Sequence, residues 1–173
     1  HKMAPQNSIA ILPFVNMSSS EEHEYFSDGM TEEIINALTK IEGLRVTSRT
    51  SSFHFKEKNI PIRQIGKQLN VSTILEGSIR LSDNKMRLTA QLIDVANDMH
   101  FFSEVFDRPV NDVFEVHDEV SLLIADQLRE HFGYFDISQT LFAHPDVPVI
   151  AYISYMRCRY LMLQLNKPDI KNG

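Results

Sequence analysis

The 173-residue chain is 43% hydrophobic, enough to build the core of one ordinary domain with an appendage. Its formal net charge of −6 excludes the broad basic face that a nucleic-acid backbone requires, so no direct nucleic-acid partner is expected. A single cysteine, Cys158, excludes an internal disulfide and a cysteine-rich zinc site, and no apolar run approaches the roughly 20 residues of a membrane-spanning helix.

In chain order, Ser8 to Asn16 is nearly all apolar between Ile9 and Phe14, which predicts a strand covered on both faces. Ser18 with Glu21, and Ser19 with Glu22, each fit a capping box. A helix is predicted from there to Ile41, with Phe26, Met30, Ile34 and Leu38 on one face and Gly43 as its stop. Leu44 to Thr47 reads as a second strand, Ser48 to Ser52 as a polar loop, and Phe53 to Phe55 as a short extended piece before a turn at 56–59. Pro61 then opens a helix whose apolar positions are Ile62, Ile65 and Leu69, and Asn70 supplies a left-handed cap.

Residues 72–81 and 85–95 read as a β-hairpin joined by turn chemistry at Ser82 to Lys85, with Gly77 marking a bulge or a close backbone approach. A turn at 96–99 leads to a third antiparallel strand, His100 to Asp107. The last long helix carries Val113, Val116, Val120, Leu123, Ile124 and Leu128 at spacings of three and four, is capped by Asp112 or Asn111, and closes near Gly133. The predicted fold class is therefore α/β, a mixed sheet in the order β-α-β-α-β-β-β-α with helices packed on it.

Residues 134–148, with Pro145 and Pro148, read as a linker. Residues 149–173 begin with an aromatic-rich helix presenting Tyr152, Tyr155, Met156, Tyr160 and Leu163, an apolar surface that seeks cover. These five residues are the predicted interface: the helix is expected either to fold back on its own domain or to pair with another copy, and a homodimer is the favoured outcome.

Chemistry is sparse. The six glycines are isolated, so neither a phosphate-cradling loop nor a dinucleotide fingerprint is present. His117-Asp-Glu119 matches half of a zinc-deaminase signature, but the thiolate half cannot be built from one cysteine, and His117 reads as part of a solvated acidic face. Adjacent carboxylates such as Glu32 and Glu33 point roughly 100° apart on a helix and cannot flank one substrate atom. Cys158 lies between Arg157 and Arg159, and reads as packing rather than as a reactive thiol. No catalytic residue, metal or cofactor is assigned.

Open α/β sheets collect ligands beyond the carboxyl ends of their strands. Asn16 and Ser18 follow the first strand, while Arg49, Thr50, Ser51 and Ser52 follow the second, so a small anion could meet one guanidinium and several hydroxyls. The competing reading pairs Arg49 with a structural carboxylate such as Asp28 and leaves the serines to cap turns.

Taken in order, Ser8-Ile-Ala-Ile-Leu-Pro-Phe-Val-Asn16, Tyr25-Phe-Ser-Asp-Gly-Met-Thr-Glu-Glu33, Arg45-Val-Thr-Ser-Arg-Thr-Ser-Ser-Phe53, Ile74-Leu-Glu-Gly-Ser-Ile-Arg80 and Arg87-Leu-Thr-Ala-Gln-Leu-Ile-Asp94 resemble the TolB N-terminal-like, or FlgO-like, domain. That domain accompanies tetratricopeptide repeats in bacterial transcriptional regulators and in proteins named as adenylate cyclases. The resemblance spans about 8–133, and the helix after 149 resembles the start of a repeat array. One departure is Phe102, where the family pattern places tryptophan.

The resemblance implies a non-catalytic sensory or protein-interaction module of a bacterial signalling or transcription-regulatory protein, with protein partners held through the following helical repeats. The alternatives are the regulatory fragment of an adenylate cyclase and a small-anion receptor. It further implies a piece of a longer polypeptide that works in the cytoplasm, or else as the periplasmic part of a membrane-anchored regulator.

Overall fold

The computed structural model describes residues 4–133 together with Ser154, Tyr155, Cys158 and Met162. The chain enters through β1 (Ser8–Ile11), every residue of which is buried. The strand expected to run on to Asn16 instead breaks, because Pro13 has no N–H and the Phe14 N–H turns away to Thr31 Oγ1 at 3.0 Å. It resumes as β2 (Val15–Asn16).

Neither expected capping box forms. Ser20 is the cap, accepting the Glu22 N–H at 3.2 Å, and a short 3₁₀ turn, Glu21–His23, leads into α1 (Glu24–Thr39). Ser18 is diverted to the sheet, as described below. After Gly43, at a φ of 84°, comes β3 (Arg45–Val46).

The segment expected as polar loop and extended piece is helical, forming α2 (Arg49–Phe53). Ser48 caps it, accepting the Ser51 N–H at 3.3 Å. α3 (Ile62–Leu69) ends as expected on Asn70, whose φ of 53° and ψ of 49° are left-handed. The hairpin is β4 (Thr73–Ser82) and β5 (Lys85–Asp94), and β6 (Met99–Pro109) completes the meander. A 3₁₀ turn, Val110–Asp112, precedes α4 (Val113–Phe132). Asp112 holds the cap position but its side chain makes no capping bond.

The sheet runs β3-β1-β4-β5-β6, with β2 also on β4. β1 lies parallel to β3 and β4, whereas β4, β5 and β6 are antiparallel. Ile11 pairs with Leu75 and Val15 with Ser78, so four steps on one strand oppose three on the other, and the surplus residue is what lets Phe14 drop into the core. A second irregularity falls at Leu92/Ile93, opposite Phe102 and His100. It frees Phe101 to stack on His131 of α4 with ring centroids 4.0 Å apart, and Phe102 packs on the core as the expected aromatic.

α1 and α4 cover one face of the sheet, and their Phe26, Met30, Ile34, Leu38, Val116, Val120, Ile124 and Leu128 meet Ile9, Ile11, Leu75, Ile79, Leu88 and Leu92 in the main core. α3 covers part of the other face over Ala10 and Ile74 through Ile65. His117, expected on a solvated face, has a side chain only 12% exposed beside Asp118, because this long helix is flanked by sheet and helix rather than by water alone. No helix of the described residues is long and apolar enough to cross a membrane. The linker expected at 134–148 lies outside the described residues. Ser154, Tyr155, Cys158 and Met162 are helical, as expected for the appendage.

Candidate functional site

Asn16 ends β2 and Ser18 follows it, and both are engaged in holding the chain. Asn16 Oδ1 accepts the Ser18 N–H at 2.9 Å, and its Nδ2 donates to the Ser20 carbonyl at 3.0 Å. Ser18 Oγ accepts the Leu81 N–H at 2.8 Å, extending the ladder on β4 beyond the end of β2. Ser18→Ala is expected to cost about 1 kcal/mol and to speed hydrogen exchange at Leu81 without changing it at Leu75. Unchanged exchange at Leu81 would show that the hydroxyl does not hold that edge.

Arg49, Thr50, Ser51 and Ser52 lie on α2 rather than in a loop. Arg49 Nε donates to Glu32 Oε1, and its guanidinium carbon lies 4.0 Å from the Phe53 ring centroid. Ser51 is tied to Ser48, the two hydroxyls 3.1 Å apart, and Thr50 is exposed. Ser52 is fully buried, and its hydroxyl has no hydrogen-bond partner among the described residues. No hydrogen bond joins the Asn16–Ser18 group to the Arg49–Ser52 group among the described residues. Of the predicted interface, Tyr155 is exposed, whereas Tyr152, Met156, Tyr160 and Leu163 lie outside the described residues.

The expected partner of Arg49 was one helical turn off. Glu24, Asp28 and Glu32 recur every four residues along α1 and make an acidic stripe beside α2. Arg49 meets Glu32, while Asp28 is taken by Lys56, whose Nζ donates to both carboxylate oxygens at 2.7 Å and lies 3.0 Å from Glu24 Oε2. Asp28 and Glu32 are buried, so the two cations are what make that burial tolerable. The pairings staple the 49–56 segment over the ends of the parallel strands. Lys56 was missed because it sits in a stretch read as a turn, and the four-residue spacing of the carboxylates was the available signal.

Just before Lys56 the chain reaches the other face, where Phe55 joins the small core of α3. A cleft of about 790 Å³ opens there between residues 55–65 and the sheet. Its walls include Leu12, Val15, Met17, Phe55, Ile60 and Ile62, and its floor is Glu76 and Ser78 of β4 with Thr89 and Gln91 of β5. A second depression of about 670 Å³ lies at the hairpin end around Arg80, Lys85, Arg87 and Asp107. There Arg87 clasps Asp107 with bonds of 2.7 and 2.9 Å, an exposed pair in which the hydrogen bond pushes the guanidinium up and holds the carboxyl low. Among the described residues, no group of three or more His, Cys, Asp or Glu side chains converges to hold a metal ion.

Residues 5–122 match the family model described as "HilA/YgeH-like transcriptional regulator, second domain". Over 122 residues, 70% of this chain, the sequence is 47% identical to "Putative adenylate cyclase 3" of Rhizobium meliloti (strain 1021), and the matched part spans 21% of that relative. Among solved structures the chain is similar to TolB from Acinetobacter baumannii, with a TM-score of 0.52 and 17% identity over 73% of this chain and 29% of that one. It is likewise similar to lipoprotein GNA1162 from Neisseria meningitidis, with a TM-score of 0.52 and 15% identity over 69% of this chain and 97% of that one. Likeness at these identities shows the fold, and the TolB-like fold expected from the sequence is the one observed.

Proposed function

Because the chain belongs to the family of HilA/YgeH-like transcriptional regulator second domains, we propose that it serves as a non-catalytic regulatory module, sensing or docking on behalf of an output domain elsewhere in its polypeptide. One observation carries this reading. The same module is the second domain of a transcriptional regulator family and about a fifth of a relative named as an adenylate cyclase. A unit attached to two different outputs supplies something other than the chemistry of either.

The polar groups at the strand ends support the reading from the physical side. Arg49, Lys56, Ser18 and Asn16 are engaged in fastening helix to helix and loop to sheet, where a catalytic group would need to face substrate. The purified chain, incubated with ATP and magnesium, is expected to form no cyclic nucleotide or hydrolysis product above the blank. Robust turnover lost on a single substitution in either depression would overturn the reading.

Protein partners enter through the C-terminal helix in this reading. Tyr155, Cys158 and Met162 follow one another at helical spacings of three and four, with Tyr155 56% and Met162 63% exposed. A homodimer through this segment is expected in sedimentation of the whole chain and absent after removal of residues 149–173. A monomer in both cases sinks that part of the proposal.

A further inference from the structure

The cleft on the α3 face has a cause that can be traced through the sheet. α3 is eight residues long, about 12 Å, and it buries Ala10 and Ile74 on the strands beneath it. Two residues further along β4, past the reach of the helix, the same face carries Glu76 and then Ser78, paired across the ladder with Gln91 and Thr89 of β5. All four are half-buried. The cleft is thus a polar floor with an apolar wall, at about 790 Å³ within the range of small-molecule sites.

Its charges are unequally committed. Lys56 is held by Asp28 and Glu24, and Lys58 Nζ lies 3.1 Å from His54 Nε2. The Glu76 carboxylate makes no hydrogen bond or ion pair with any described residue, while its backbone pairs with Gln91 in the ladder. A half-buried carboxylate that forms no ion pair, set beside Leu12, Ile60 and Ile62 with Val15 57% and Met17 52% exposed at the rim, asks for a cation that brings apolar surface with it. A carboxylate accepting from an ammonium is among the stronger hydrogen bonds, and the Ser78 and Thr89 hydroxyls offer further acceptors to its remaining N–H groups.

We propose that this cleft binds a small organic cation, an apolar body carrying one protonated amine, with Glu76 as its counter-ion. The apolar body lies against Leu12, Ile60 and Ile62, and the ammonium reaches the floor. Anions are disfavoured there, since Glu57 and Glu76 both line the cleft and Lys56 is held by Asp28 and Glu24.

The test is a titration of the purified chain with phenethylamine, with 2-phenylethanol as the neutral isostere and phenylacetate as the anion, followed by backbone amide shifts. The amine is expected to give saturable shifts at Leu12, Ile60 and Glu76, and the alcohol to bind at least about tenfold more weakly. Glu76→Gln, judged folded by its unchanged spectrum elsewhere, is expected to erase that preference. Ser78→Lys, which places an ammonium on the neighbouring position of the same face, is expected to weaken the amine and leave the alcohol unchanged. Equal binding of amine and alcohol, preference for phenylacetate, a preference retained in Glu76→Gln, shifts confined to other surfaces, or no saturation at millimolar amine would each overturn the proposal. Amine binding and absence of turnover are separate observables, so either result stands without the other.

Discussion

Gly77→Ala is expected to lower the unfolding free energy by about 3 kcal/mol, a large effect for one added methyl. A Cβ at this position would stand 2.0 Å from the Thr89 carbonyl oxygen and 3.2 Å from Phe14 Cε1. Neither neighbour can give way cheaply. Thr89 belongs to β5, which is paired on both sides, and Phe14 is 1% exposed in the main core, where the break at Pro13 put it. Urea unfolding should show a lower midpoint with an unchanged slope. Gly133→Ala is the control, since nothing lies within 4 Å of its Cβ and only its φ of +94° is strained. Its expected cost is about 1 kcal/mol. If the two variants prove equal, the close approach of β4 to β5 carries no energy of its own.

The second large effect is expected at Lys56, a residue in no predicted site. Lys56→Met leaves Asp28, whose side chain is 10% exposed, without its cation and 24–28 as an unrelieved pair of carboxylates on one helix face. Removing one partner of a largely buried pair is expected to cost about 3 kcal/mol near neutral pH. Asp28→Asn added to Lys56→Met should restore part of the loss, because the uncompensated charge is gone; strict additivity of the two substitutions would show that the pair is not coupled.

The pH dependence follows from both partners. Burial pushes the Asp28 carboxyl up, and the hydrogen bond and charge of Lys56 pull it only part of the way back. Burial also presses the Lys56 ammonium down, but its bond to Asp28 and the nearby Glu24 outweigh it and the net direction is up. The two directions weigh the pair differently, one as a net cost to the carboxylate and the other as a net gain to the ammonium. With both carboxylate oxygens 2.7 Å from Nζ, the ionised pair is the species at neutral pH, and the direction at Lys56 is the one we stand behind. A raised lysine pKa means that the folded chain holds the proton more tightly than the unfolded chain. The stabilisation is therefore complete below the ordinary lysine value of about 10.4 and is lost as pH rises through the higher folded value. At the acid end the sign reverses for the variant. Without Lys56 the Asp28 carboxyl is raised further, so the destabilisation of Lys56→Met should shrink as pH falls through that raised value towards the ordinary carboxylate range. A difference that stays constant across both limbs would place the ion pair outside the energetics of folding.

Much of the architecture was legible one segment at a time. The alternation in 73–82 and 85–94, the spacing of three and four in α1 and α4, and the left-handed Asn70 were read where they stand. α2 was not, because five residues, Arg49–Phe53, present no apolar period. Ser48 was a usable capping signal in retrospect, but what holds so short a helix is Arg49 on Glu32 and Lys56 on Asp28, contacts made across 17 and 28 residues of chain. The same reason explains the capping boxes. Ser18 had the right neighbours for one, yet the Leu81 N–H, 63 residues away, offered its hydroxyl a partner once β2 had been laid on β4.

The candidate site divides along the same line. That polar groups would stand at the carboxyl ends of the parallel strands was readable, since strand direction and loop composition are local properties. That Arg49 would meet a carboxylate of the fold was readable as well, but that the carboxylate would be Glu32 and that Ser18 would reach the Leu81 N–H were not, and neither was the prominence of Glu76, which sat in an otherwise ordinary strand.

What the sequence by itself determined is the type and order of the elements and the α/β class, because side-chain direction repeats with the backbone and hydrophobic period reports it directly. Tertiary structure alone decided which cation meets which carboxylate on α1, why residue 77 is glycine, and how far α3 reaches before the floor of the cleft opens. Each of these depends on distances between segments remote in sequence, and no local period records such a distance.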